Sequence, residues 1–166
     1  MADTPAPKLA TPTDLPSNEL SNVADALNAA LADCFALYIK TKNFHWHVSG
    51  PHFRDYHLLM DDQATQIYEV TDAIAERVRK TGNTTLRSIG DIARHQTIKD
   101  NDAQFVEAAA MLGELRDDNL KLVAGFRKVK ELAEEAKDNA TSGIVDEWTD
   151  QAEERAWFLF EASRKA

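Results

Sequence analysis

Apolar residues recur at intervals of three and four along most of the chain. Leu20, Val23, Leu27, Leu31, Cys34, Leu37 and Tyr38 form the first series, the spacing of a helix that buries one face. Ser17, with an acid close behind it, is a candidate cap, so helix A is expected from Ser17 to about Phe44 or beyond. Gly50 and Pro51 interrupt the pattern. Tyr56, Leu59, Met60, Ile67, Val70, Ile74 and Val78 then predict helix B. It closes near Gly82 with Arg77, Arg79 and Lys80 in its last turn, where cations suit the helix dipole. Asn83 to Thr97 is too long for a tight turn and carries Ile89, Ile92 and Ala93, so a short helix crossing between longer ones is expected there. A third series runs from about Asp100 through Phe105, Leu112, Leu115, Leu122, Phe126, Val129 and Leu132 (helix C). After a break at Asp138 to Gly143, a fourth uses Ile144, Trp148, Ala152, Ala156, Leu159 and Phe160 (helix D). No period-two alternation competes. The expected class is all-α, a four-helix bundle with a short extra helix in the B–C crossover.

Composition refines the boundaries. Four of the five prolines lie in Met1 to Pro16, so residues 1–16 read as a mobile tail that joins no core, and 17–166 as one bundle domain. The 166 residues suffice for a single core. The lone Cys34 rules out an intrachain disulfide framework and any multi-cysteine zinc site, which suits a reducing compartment. No basic stretch leads into an apolar run and no window is apolar enough to span a membrane, so a cytoplasmic location is expected, with or without nucleoid association. The net charge of -9 is the wrong sign for a phosphate-binding surface and the right sign for attracting cations.

The candidate chemistry lies on helix B. At about 100° per residue, and with His57 at zero, Asp61 falls near 40°, Asp72 near 60° and Glu76 near 100°. The apolar residues of the same helix cluster at roughly 200° to 300°. The His57, Asp61, Asp72 and Glu76 face therefore turns away from the chain's own core, with His45 close by at the end of helix A. At about 1.5 Å rise per residue, His57 and Glu76 stand about 28 Å apart, and Asp61 and Asp72 about 16 Å apart. No single metal reaches both pairs of one chain. The two pairs are, however, symmetric about residues 66 and 67. An antiparallel copy of helix B on a two-fold axis would bring each His/Asp pair opposite the partner's Asp/Glu pair and make two identical sites. Imidazole and carboxylate without thiolate suit Fe(II), with Zn(II) or Mn(II) as competitors.

The run from Lys40 to Val78, KTKNFHWHVSGPHFRDYHLLMDDQATQIYEVTDAIAERV, resembles the signature of the Dps family of ferritin-like mini-ferritins. His45, His57, Asp61, Asp72 and Glu76 stand at that signature's intervals, with Trp46, Gly50, Phe53 and Ala75-Glu76-Arg77 also matching. TTLRSI (Thr84 to Ile89) and RAWFLFEAS (Arg155 to Ser163) extend the likeness. The resemblance implies a ferritin-like bundle assembled as a hollow dodecamer with ferroxidase centres at two-fold interfaces. His45, His57 and Asp61 would come from one subunit, and Asp72 and Glu76 from its neighbour. There Fe(II) would be oxidised by hydrogen peroxide, or by oxygen, and stored as a ferric mineral, protecting the cell from oxidative damage. Trp46 would sit beside the centre as an electron donor or radical trap.

The alternative function is a nucleoid protein that compacts DNA, with metal binding secondary. The tail supplies only Lys8 against Asp3 and Asp14, and the C-terminus only Arg164 and Lys165, so DNA binding is expected to be weak or absent. Cys34 lies on helix A's apolar stripe and reads as a buried small hydrophobe. His47 replaces the Asn of many relatives and reads as a surface residue; His52 and His95 have no partners at ligand spacing, and Asp62 reads as solvated. Gly143 stands where many relatives place an Asp lining a pore that admits iron, with Asp138 and Asp146 nearby.

Overall fold

The computed structural model of the chain describes residues 7–164. Five helices follow a short 3-10 turn at Pro7–Leu9: α1 (Ser17–His47), α2 (Phe53–Lys80), α3 (Ile89–His95), α4 (Ala108–Glu135) and α5 (Asn139–Ser163). Among the described residues there are no strands, and no helix is long and apolar enough to cross a membrane. Cross-helix bonds fix the directions. Tyr56 Oη donates to the Ala162 carbonyl, Gln63 Nε2 to that of Arg155, and Arg77 to Thr141 and Asp138, so α2 and α5 are antiparallel. Arg127 with Glu153 and Lys130 with Asp146 set α4 antiparallel to α5. Helices α2 and α4 thus point the same way, and residues 81–107 must travel the bundle's length to join them, the single long crossover of ferritin-like bundles.

The core forms where the four apolar stripes meet. Leu27, Leu31 and Leu37 of α1 pack with Met60, Ile67 and Ile74 of α2, Leu112, Leu115 and Phe126 of α4, and Trp148 and Leu159 of α5. Each such side chain contributes on the order of 1.5–3 kcal/mol on burial. Cys34 is fully buried among them, as its place on the stripe predicts. Two polar residues of α1 pin the crossover. Asn28 Nδ2 donates to the Thr84 carbonyl while its Oδ1 accepts from Thr85, and the buried Asp33 carboxylate accepts from Thr97 and from the Ile98 amide at 2.8 Å. Between those anchors α3 buries no residue, and Ile89 is 80% exposed.

Three boundaries differ from the sequence reading. Helix α4 starts at Ala108, not near Asp100. The Asn101 side chain binds the Ala103 amide and Glu114, and its carbonyl accepts from Asn43, which holds the segment as a loop and leaves Phe105 exposed. Helix α5 starts at Asn139, so Gly143 lies within it rather than in a break. Lys137, at φ 57, makes the left-handed turn, and Asp138 caps α5 by accepting from the Thr141 amide at 3.0 Å. Of the expected tail, Met1 to Ala6 lie outside the described residues. Beyond them Leu15 packs against the core, and Arg79 of α2 donates to the Leu9 carbonyl at 2.7 Å. Ser17 is the first helical residue of α1 rather than its cap, and Pro16 stands at the cap with no side-chain bond.

Candidate metal centre

The end of α1 and the start of α2 bring three of the candidate ligands, His45, His57 and Asp61, close to one another. The Val48 amide bonds the Phe44 carbonyl as α1 ends, and positive φ at Gly50 (92°) and His52 (64°) reverses the chain. The returning α2 sets His57 against His45, ring centroids 3.8 Å apart and nearly parallel. Each ring places Nδ1 2.8 Å from the other residue's backbone carbonyl. A carbonyl only accepts, so both Nδ1 atoms carry the proton, and in the neutral rings both Nε2 atoms keep a lone pair. This reciprocal lock fixes tautomer and orientation in the way metal-ligating histidines are fixed by groups behind them. Phe53 stacks on the outer side of His57 at 5.1 Å.

Asp61 follows His57 by one turn, its Oδ1 3.8 Å from His45 Nε2. The same oxygen accepts from Lys42 Nζ at 2.7 Å, and that ammonium holds the carboxyl below its ordinary range, burial opposing and both histidines adding in the same sense. Lys42 also lies 5.9 Å from the ring centre of Trp46, which is 61% exposed beside the histidines. Lys42 lies outside the helix B spacing, and its signal in the sequence is its position three residues before His45 on the same helix.

Asp72 and Glu76 lie exposed farther along the unbroken α2, Glu76 paired with Lys80 at 3.0 Å. His45, His57 and Asp61 are thus brought together, and Asp72 and Glu76 are not brought to them. Among the described residues no three His, Cys, Asp or Glu side chains are grouped closely enough to hold a metal ion. Helix α2 also carries Leu58, beside His57, and Tyr68, between Asp61 and Asp72, each about half exposed.

The other singled-out residues stand apart. His47 and His95 are exposed and bond carbonyls of their own helices, and exposed His52 lies near Tyr56. Asp62 is exposed. Asp138, near the suspected pore position, is buried. Burial raises its carboxyl, but hydrogen bonds from Thr141 and Arg77 outweigh this and leave it lowered. Asp146 is held by Lys130, and Gly143 faces open space.

The pattern of the ferritin-like domain family matches residues 24–165. Fold and match together define a ferritin-like helical bundle. The chain is 32% identical over 149 residues to the DNA protection during starvation protein of Agrobacterium fabrum, covering 90% of this chain and 92% of that one. DpsC from Streptomyces coelicolor superposes with a TM-score of 0.89 at 26% identity, covering 93% of this chain and 91% of that structure. A Dps protein of Vibrio cholerae O1 does so at 0.85 and 24% identity, covering 90% and 94%. The chain belongs to the Dps family of ferritin-like proteins.

Proposed function

We propose that this protein is a ferroxidase and iron-storage cage whose sites each need two chains. The reciprocal His45–His57 lock carries this reading, because it leaves both Nε2 lone pairs free, that of His45 3.8 Å from Asp61 Oδ1, while among the described residues no three such side chains are grouped closely enough to hold a metal ion. The Vibrio cholerae relative is called a member of a broad superfamily of ferritin-like diiron-carboxylate proteins, which fits iron as substrate. An antiparallel second copy of α2 would supply Asp72 and Glu76 and cover Leu58 and Tyr68. The assembly we favour is a dodecamer.

In this reading His45, His57 and Asp61 capture Fe(II), and the neighbour's Asp72 and Glu76 complete the donor set. Carboxylates favour the harder Fe(III) product over Fe(II). Two Fe(II) ions give one electron each to one hydrogen peroxide, which takes up two protons and leaves as two waters. Oxygen is a second oxidant, and Zn(II) and Mn(II) are competitors for the same donors. Trp46 stands ready to reduce a stray oxidising radical. The ferric product is stored inside the cage, which removes both reagents of hydroxyl-radical formation. The charge of -9 per chain, multiplied over a shell, draws in cations and opposes DNA binding. The cytoplasm suits the reduced Cys34.

Optical monitoring of Fe(II) oxidation, with peroxide and separately with oxygen, tests the assignment. The His57→Ala/Asp61→Ala variant should fall to the protein-free rate. A variant as fast as the wild type would sink it.

A further inference from the structure

Three side-chain pairs follow one another along the α1–α2 seam: His45 with His57, Lys42 with Asp61, and Tyr38 with Tyr68. The tyrosine rings have centroids 5.2 Å apart and are tilted by 42°. Tyr38 stands seven residues before His45, and Tyr68 seven after Asp61. Seven residues carry a helix about 10 Å along its axis and bring it back to within about 20° of the same face. The tyrosine pair therefore lies on the face that holds the candidate ligands, two turns from them on both helices. Tyr38 is half-buried against the core and Tyr68 is 55% exposed. The third tyrosine, Tyr56, turns to the other seam, where its hydroxyl donates to the Ala162 carbonyl of α5. Among the described residues no protein group holds the hydroxyl of Tyr38 or of Tyr68, so both protons are free to pass to water.

Electron counting gives the pair a role. Hydrogen peroxide takes two electrons, and each Fe(II) gives one. A site that holds a single Fe(II) delivers only one, which leaves a hydroxyl radical. A phenol supplies the missing electron: Fe(II), hydrogen peroxide, one tyrosine and one proton from water give Fe(III), a tyrosyl radical and two waters. Of the two protons that the peroxide takes up, the other is the phenol's own. Trp46, exposed beside the histidines, is nearer. A phenoxyl radical is lower in energy than an indolyl radical near neutral pH, so a hole formed first on Trp46 moves on to the tyrosines.

We propose that Tyr38 and Tyr68 are a paired electron reserve that completes the reduction of peroxide when a site holds one iron; this rests on the reading that Fe(II) is oxidised at His45, His57 and Asp61. Two such events leave a radical on each ring. The rings are neighbours, so the radicals couple: a carbon–carbon bond forms ortho to the hydroxyls, the displaced ring hydrogens move to the phenol oxygens, and the product is a dityrosine that joins α1 to α2 within one chain. Tyr56, on the other side of α2, takes no part.

The assembled, metal-free protein is given less than one Fe(II) per chain and then hydrogen peroxide. Three quantities are read on each sample: the rate of Fe(II) oxidation, the electron paramagnetic resonance spectrum of a rapidly frozen aliquot, and the peptide map. The expected result is a tyrosyl signal that narrows when the tyrosine rings are deuterated, followed by a linked pair of peptides carrying Tyr38 and Tyr68, lighter than the separate peptides by two hydrogens. Tyr56→Phe should keep both the signal and the link. Tyr38→Phe and Tyr68→Phe should each abolish the link, and the double variant should lose the signal. Fast oxidation without the Tyr38–Tyr68 link, or a tyrosyl signal that survives the double variant, overturns the reserve and leaves the ferroxidase reading standing. Oxidation by the wild type no faster than in buffer overturns both.

Discussion

Asp61 sits between two claims. Its carboxylate lies near the lone pair of His45 and is held by Lys42, so the ammonium occupies a position where iron, on our reading, would bind. Lys42 then competes with the metal for one ligand. Exposed ion pairs are weak, so the competition is modest. Lys42→Met should tighten Co(II) binding by roughly two- to fivefold, the scale of such a pair, read by the absorption of the cobalt-bound protein. Weaker binding would mean that Lys42 instead orients Asp61. At this scale the sequence made the ligand candidates legible, because helical spacing alone puts His57, Asp61, Asp72 and Glu76 on one face. It hid Lys42, and it hid the reciprocal bonds of His45 and His57, which depend on how the reversal at Gly50 and His52 aligns two backbones.

Long helices were legible as elements because their apolar stripes repeat over many turns. Their ends were not, because short polar contacts set them. Asn101 withholds eight residues from α4 by binding a nearby amide and Glu114, and the Asp138 cap starts α5 before Gly143. The pattern of apolar positions carries no trace of either. Asp138 also ties α5 to α2 through Arg77 at 2.8 Å. Asp138→Ala should destabilise the fold by about 1 kcal/mol, the typical worth of a cap, with the lost ion pair adding to it. Because the folded carboxyl titrates below its ordinary value, its contribution is complete above the unfolded pKa of about 3.9 and is lost as pH falls through the folded one. Thermal unfolding of both forms across acidic pH should show their gap at its widest near neutrality and closing in acid. A gap that widened on acidification would contradict this account.

At the scale of the whole molecule, one chain leaves the proposed site incomplete. Its bundle is complete, with one core and a pinned crossover, yet α3 buries nothing, Leu58 and Tyr68 lie open, and the candidate ligands are divided between the two ends of α2. The symmetric numbering of the two pairs made their separation along α2 readable before any coordinates; the second copy that would join them is our proposal. The most direct test joins two inactive halves. His57→Ala/Asp61→Ala and Asp72→Ala/Glu76→Ala chains, each inactive alone, are co-expressed and their mixed assemblies purified. In a mixed two-fold pair one site is whole and the other doubly broken, so random pairing should restore about a quarter of wild-type Fe(II) oxidation. Mixed assemblies that form but oxidise iron no faster than either parent would contradict a site shared between two chains.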